Sequence, residues 1–168
     1  MFNQDSIVFR VAAEDFTRAY RQGIIHRFWS WLTRKPTRLL SFEAVEESFG
    51  IAALHPSRLR EVPVALIVGS VGRAADYTAD FLPRLASDQE RWAGVKMAIM
   101  RLSGLPPVKL YQVGSHYFVL DGHHRISVSR HLRVGTVSAL VSRVETLRPY
   151  TTATIEAKRS PSRPVMTI

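Results

Sequence analysis

The stretch Tyr117-Phe118-Val119-Leu120-Asp121-Gly122-His123-His124-Arg125-Ile126-Ser127-Val128 decides the fold of this 168-residue chain. An apolar run reads as a buried strand, a single glycine turns it, and a helix starts at once. The first N–H groups of a helix have no intrahelical partner and lie at the positive end of its dipole, so such a junction gathers anions. Asp121 suits two roles that the residues leave open: a cap for the helix, and a catalytic or metal-binding acid. A cap needs none of His123, His124 and Arg125, and their crowding into one turn predicts a site. Neighbouring helix positions diverge by about 100°, so the two histidines do not chelate one ion through a shared face.

Outward from this junction, His116 to Leu120 pairs with Val108 to Val113 through the turn Gly114-Ser115, and Thr136 to Val144 is the last strand. Upstream, Ser87 and Glu90 read as a capping box for a helix whose stripe is Trp92, Val95, Ile99 and Leu102, ended by Gly104 and Pro106-Pro107. Val62 to Val68 reads as a buried strand running into Gly69-Ser70-Val71-Gly72-Arg73, and Ile51 to Glu61 as a connecting loop. Ser41 caps a short helix from Phe42 to Phe49, with Gly50 beyond its end. From Glu14 to Leu32 the apolar residues recur at helical spacing; the stripe Phe16, Tyr20, Phe28 and Trp31 reads as core, with a homodimer or partner-protein contact as the alternative. The order predicts an α+β fold, a small mixed β-sheet with packed helices over 61–147. It is preceded by an N-terminal helical extension, 1–60, and followed by a basic, weakly ordered tail, 148–168.

Composition narrows the chemistry. Cysteine is absent, which removes disulfides, thiolate nucleophiles and Cys-based zinc or iron–sulfur sites. No apolar run reaches the roughly 20 residues of a membrane span and no secretory signal opens the chain, so the expectation is a cytoplasmic protein without a membrane partner. The net charge of +9 suggests a polyanion, with nucleic acid at the basic tail as one candidate partner. The excess is spread evenly over the three segments, so no compact stripe is visible. His26, His55, His116 and His131 are scattered and read as structural; Trp29, Trp31 and Trp92 read as core; Glu43, Glu46 and Glu47 read as a solvated helix face.

From about Glu61 to Val144 the chain resembles the ParB/sulfiredoxin-like superfamily, the group that includes the ParB-like nuclease domain. The resemblance rests on an ordered set: the strand from Val62, the loop closing in Arg73, the Trp92 helix, Leu105-Pro106-Pro107-Val108, the hairpin, and Asp121 to Arg125 opening a helix. It implies that Gly122, His123, His124 and Arg125 hold the phosphates of a nucleotide, with Arg73, Gly69 and Ser70 in supporting contacts. Sulfiredoxin chemistry needs a cysteine where this chain has His123. Chromosome-partitioning ParB carries Gly-Glu-Arg-Arg and then a helix-turn-helix, which this sequence does not show. The motif looks most like that of free amino-acid kinases with Asp-Gly-His-x-Arg, and this implies Asp121, His123 and His124 as catalytic groups, with Asp121 on Mg2+. Those kinases also place a glutamate in the loop after the first strand; Gly69 to Arg73 holds no acid, although Asp76 and Asp80 follow. The implied cofactors are a nucleoside di- or triphosphate (ATP, ADP or CTP) and Mg2+. The implied function is phosphoryl transfer or nucleotide hydrolysis. The alternatives are a DNA-binding regulator or nuclease, and a non-catalytic nucleotide-responsive protein that binds a partner.

Overall fold

The computed structural model describes residues 4–33, 39–101 and 104–151, with the side chains of 4–5 and 26–33 outside that description. The N-terminal helix α1 spans Gln4–Thr33, starting ten residues before the periodic stretch does. Ala12, Phe16, Ala19 and Gly23, spaced by four, three and four, form its buried edge, the one-stripe burial that an amphipathic helix requires. Phe28 and Trp31 of the predicted stripe lie outside the described side chains.

Next come β1 (Leu40–Ser41), α2 (Phe42–Phe49), β2 (Ile51–Leu54), β3 (Arg58–Pro63), a 3₁₀ turn at Val64–Leu66 and β4 (Ile67–Ser70). Ser41 caps α2 through the Ala44 amide, and Gly50, at φ 64°, ends it. The predicted loop from Ile51 to Glu61 is instead two strands. Both pair antiparallel with the long last strand, β7 (Thr136–Thr146), in the registers Leu54↔Val144 and Arg58↔Val141. Local sequence gave no alternating pattern there because β3 leaves all but Val62 exposed; the partner strand, not burial, makes it a strand. The strands β1, β2 and β3, all between residues 40 and 63, therefore join the sheet. The predicted strand from Val62 to Val68 is also broken, by Pro63 and the 3₁₀ turn.

The helix α3 (Gln89–Met100) follows a 3₁₀ turn at Ala86–Asp88. Its N-cap is Asp88, without a side-chain cap bond, so the predicted Ser87–Glu90 capping box does not form. The hairpin of β5 (Val108–Val113) and β6 (His116–Asp121) is as predicted, with Gly114 at φ 57°. After it come α4 (His123–His131) and β7. The sheet order is β1-β4-β6-β5-β7-β2, with β3 also on β7; β4–β6 and β5–β7 are parallel and β5–β6 antiparallel. The fold is thus α+β with a mixed sheet and an N-terminal helix.

Alternation along β6 assigns its faces. Tyr117 and Val119 join Ile67, Tyr77, Leu110 and Ile126 on one side; Phe118 joins Phe42, Val45 and Phe49 of α2 on the other. Behind α4 a third cluster ties the helices together. There Trp92 packs edge-on to Phe16 and donates from Nε1 to Ser127 Oγ at 2.9 Å. These two faces clamp β6, whose C-terminal end delivers the junction at Gly122.

Candidate functional site

Gly122 sits at φ 100°, a conformation side chains resist, and a Cβ there would lie 2.7 Å from Val108 Cγ1 and 3.0 Å from Arg125 Nε. Only glycine turns the chain here. Its carbonyl accepts the Ile126 amide at 3.0 Å, and no side chain caps α4. Asp121 is therefore not the cap: it ends β6, and its carboxylate accepts from Arg125 Nη2 at 3.0 Å. Arg125 folds back over the turn and also donates from Nη1 to the Pro106 carbonyl.

The two histidines point apart. His123 is buried, shares a 2.7 Å hydrogen bond between Nε2 and Ser70 Oγ, and stacks on Tyr77 at 5.8 Å. Burial, aided by the Arg73 and His124 charges, pushes its pKa down to about 4, so it is neutral at pH 7. His124 meets Tyr77 Oη through Nδ1 at 3.2 Å and Asp88 Oδ1 through Nε2 at 3.6 Å. Burial lowers its pKa too, against the pull of Asp88. Tyr77 is fully buried and burial raises its pKa. When that hydroxyl donates to Nδ1, the imidazole proton lies on Nε2, toward Asp88.

Arg73 closes the other side. Its Nε donates to Asp76 at 2.7 Å, its Nη2 lies 3.8 Å from Asp88 Oδ2, and its guanidinium lies over the Tyr77 ring at 5.6 Å. The Arg73 amide donates to Ser70 Oγ at 3.2 Å. Asp88 Oδ2 is buried and makes no hydrogen bond. An acid in that state is costly unless something approaches it.

The fold thus brings Ser70, Arg73, Asp121, Gly122, His123, His124 and Arg125 to one place. Gly69 is present for a different reason. It lies within β4, and a Cβ there would strike Phe118 at 2.3 Å and the Leu40 carbonyl at 2.6 Å, so its glycine serves the sheet. Three members escaped the sequence reading. Tyr77 lies in a stretch whose sequence shows no pattern, and Asp88 was hidden inside an apparent capping box. Glu43, read as a solvated face, accepts the Gly72 amide at 2.7 Å through Oε1 and thereby supplies an acid to the glycine loop. Asp76, noted for its closeness, pairs with Arg73. The only signal for Asp88 was its place beside a helix start.

Among the described residues no group of three or more His, Asp or Glu side chains could hold a metal ion, and no helix is long and apolar enough to cross a membrane. No protein-family model matches the chain, and no curated protein matches it in sequence. Among solved structures the chain is similar to sulfiredoxin from Arabidopsis thaliana, at 18% identity and a TM-score of 0.39, over 60% of this chain and 94% of that one.

Proposed function

We infer that the β6–α4 turn binds the phosphates of a nucleotide and, with Mg2+, supports phosphoryl transfer or nucleotide hydrolysis. The observation that carries this reading is the uncapped start of α4 flanked by two arginines, with the Asp88 carboxylate and His124 behind them. Phosphoryl transfer asks mainly for positioning and charge neutralisation. The amides of His123, His124 and Arg125 serve the phosphate oxygens, and Arg73 and Arg125 supply the charge. Asp121, 62% exposed in its side chain, leaves Arg125 as the phosphate arrives. One carboxylate fits Mg2+ only in the manner of a nucleotide-borne ion, held chiefly by phosphate oxygens and water; Asp121 would be its protein ligand. His124, neutral and with its proton on Nε2 when Nδ1 accepts from Tyr77, serves as a hydrogen-bond donor. His123, spent on Ser70 and Tyr77, positions the turn.

A nucleotide-responsive protein without turnover is the second reading, favoured by the engagement of Arg125 with Asp121 and Pro106; release of inorganic phosphate separates the two. The binding test is thermal unfolding with ATP, ADP and CTP, each with Mg2+. At a nucleotide concentration of about 100 Kd the stabilisation is about 2.7 kcal/mol, or roughly 5–11 °C for a chain of this size. Arg73→Gln and Arg125→Ala each remove the shift. A flat response across the panel, or a shift that survives both substitutions, overturns the reading.

A further inference from the structure

At the other end of β5 from the Gly122 turn, the sheet opens into a groove of about 220 Å3 lined by Arg58, Arg60, Gln112, Val141 and Arg143 under the β2–β3 turn at His55 and Pro56. The register explains how it forms. Arg58 stands opposite Val141, Arg60 opposite Ala139, and Gln112 beside Arg143. Ala139 and Val141 are core residues, and residues two apart along a strand share a face. The arginines therefore rise from the solvent edge of the core-bearing face. The turn that overhangs them is fixed by the His55 amide on the Arg143 carbonyl at 2.8 Å and by Ser57 Oγ against Ser142 Oγ at 2.7 Å.

The charges around this groove are unequal. One carboxylate, Glu145, accepts from Arg143 and lies 2.9 Å from His55 Nε2. Glu61, on β3, alternates to the opposite face. The side chains of Arg58 and Arg60 are exposed and have no hydrogen bond or ion pair among the described residues. Two bare guanidiniums and a third shared with one acid leave an excess of two positive charges in a preformed concavity.

We propose that this groove binds the phosphodiester backbone of a single-stranded nucleic acid, at a site separate from the β6–α4 turn. All three cations are arginines, whose planar forks match phosphate oxygens in pairs. No Phe, Tyr or Trp lines the groove, and its one imidazole, His55, is paired with Glu145, so the contact is chiefly with phosphates and indifferent to sequence. The groove is concave and takes one strand. Duplex readers instead present a protruding helix or ribbon to the major groove. The chain's net charge of +9 favours a polyanion over a single small anion.

The test is fluorescence anisotropy of a labelled 20-nucleotide oligothymidylate against the full chain between 50 and 200 mM salt. The wild type binds at 50 mM and weakens steeply with salt. R58A/R60A binds at least tenfold more weakly, and its slope of log K against log salt falls by about 1.4, roughly 0.7 for each lost phosphate contact on a single strand. Its thermal midpoint stays that of the wild type, since neither side chain has a protein partner. K158Q/R159Q/R163Q, which neutralises the sequence's basic tail, keeps most of the affinity, and saturating ATP with Mg2+ does not displace the oligonucleotide. Unaltered binding by R58A/R60A overturns the proposal. So does loss of binding in the tail variant, displacement by ATP, tighter binding of a duplex of equal length, displacement by polyglutamate at equal charge, or no binding at 50 mM. None of these outcomes depends on nucleotide binding or turnover at Gly122.

Discussion

Lowering the pH from 7 to 4 should cost the fold stability at one identifiable side chain, His123. Its ring is buried against Ser70 and Tyr77, and its pKa is held at about 4 instead of 6.5. Above pH 6.5 the imidazole is neutral in both the folded and the unfolded chain, and its contribution is complete. Between 6.5 and 4 the unfolded chain takes up the proton and the folded one does not, so stability falls with pH; below 4 both are protonated and this loss stops. The full interval corresponds to about 3 kcal/mol, or a fall in midpoint of roughly 6–12 °C for a chain of this size. Burial lowers the pKa of His124 and His131 as well, so the wild-type loss contains all three. His123→Gln isolates one of them, because it keeps a polar group within reach of Ser70 and does not titrate. Urea unfolding at pH 7, 5.5 and 4 should show a wild-type loss about 3 kcal/mol larger than that of the variant. Equal acid losses in both proteins would refute the argument.

Gly122→Ala forces a side chain into φ 100° and onto Val108, so a loss of about 3 kcal/mol is expected, read as a lower urea midpoint with an unchanged slope. Gly69→Ala meets Phe118 and the Leu40 carbonyl; the backbone oxygen cannot give way, β1 must shift, and a fall in stability of about 3 kcal/mol is expected by thermal unfolding. Trp92→Phe removes the indole donor to Ser127 and should cost about 2 kcal/mol, measured by chemical denaturation.

Much of this arrangement was legible because it is local. Ser41 with Phe42, Val45 and Phe49 spelled a capped helix, Gly114-Ser115 a hairpin, and Asp121-Gly122 the turn into α4. Elements that depend on distant partners were not. Arg58 to Pro63 becomes a strand through pairing with β7, although nothing in its own pattern calls for one. Asp88 and Tyr77 enter the site only when α3 and the loop after β4 fold over α4, and Glu43 reaches Gly72 only because β1 lies beside β4. The site motif was readable as a list of residues, but the division of labour between its histidines was not. Helical divergence separates them, yet only the packing says that His123 turns to Ser70 and His124 to Asp88.

The most direct measurement is a titration of Mg2+–ATP, and in parallel CTP and ADP, into the 15N-labelled chain, followed by its amide resonances. The account predicts that the amides of His123, His124 and Arg125 move first and furthest, with Arg73 following. Resonances that stay still at that turn while others respond, or a spectrum indifferent to every nucleotide, would contradict it.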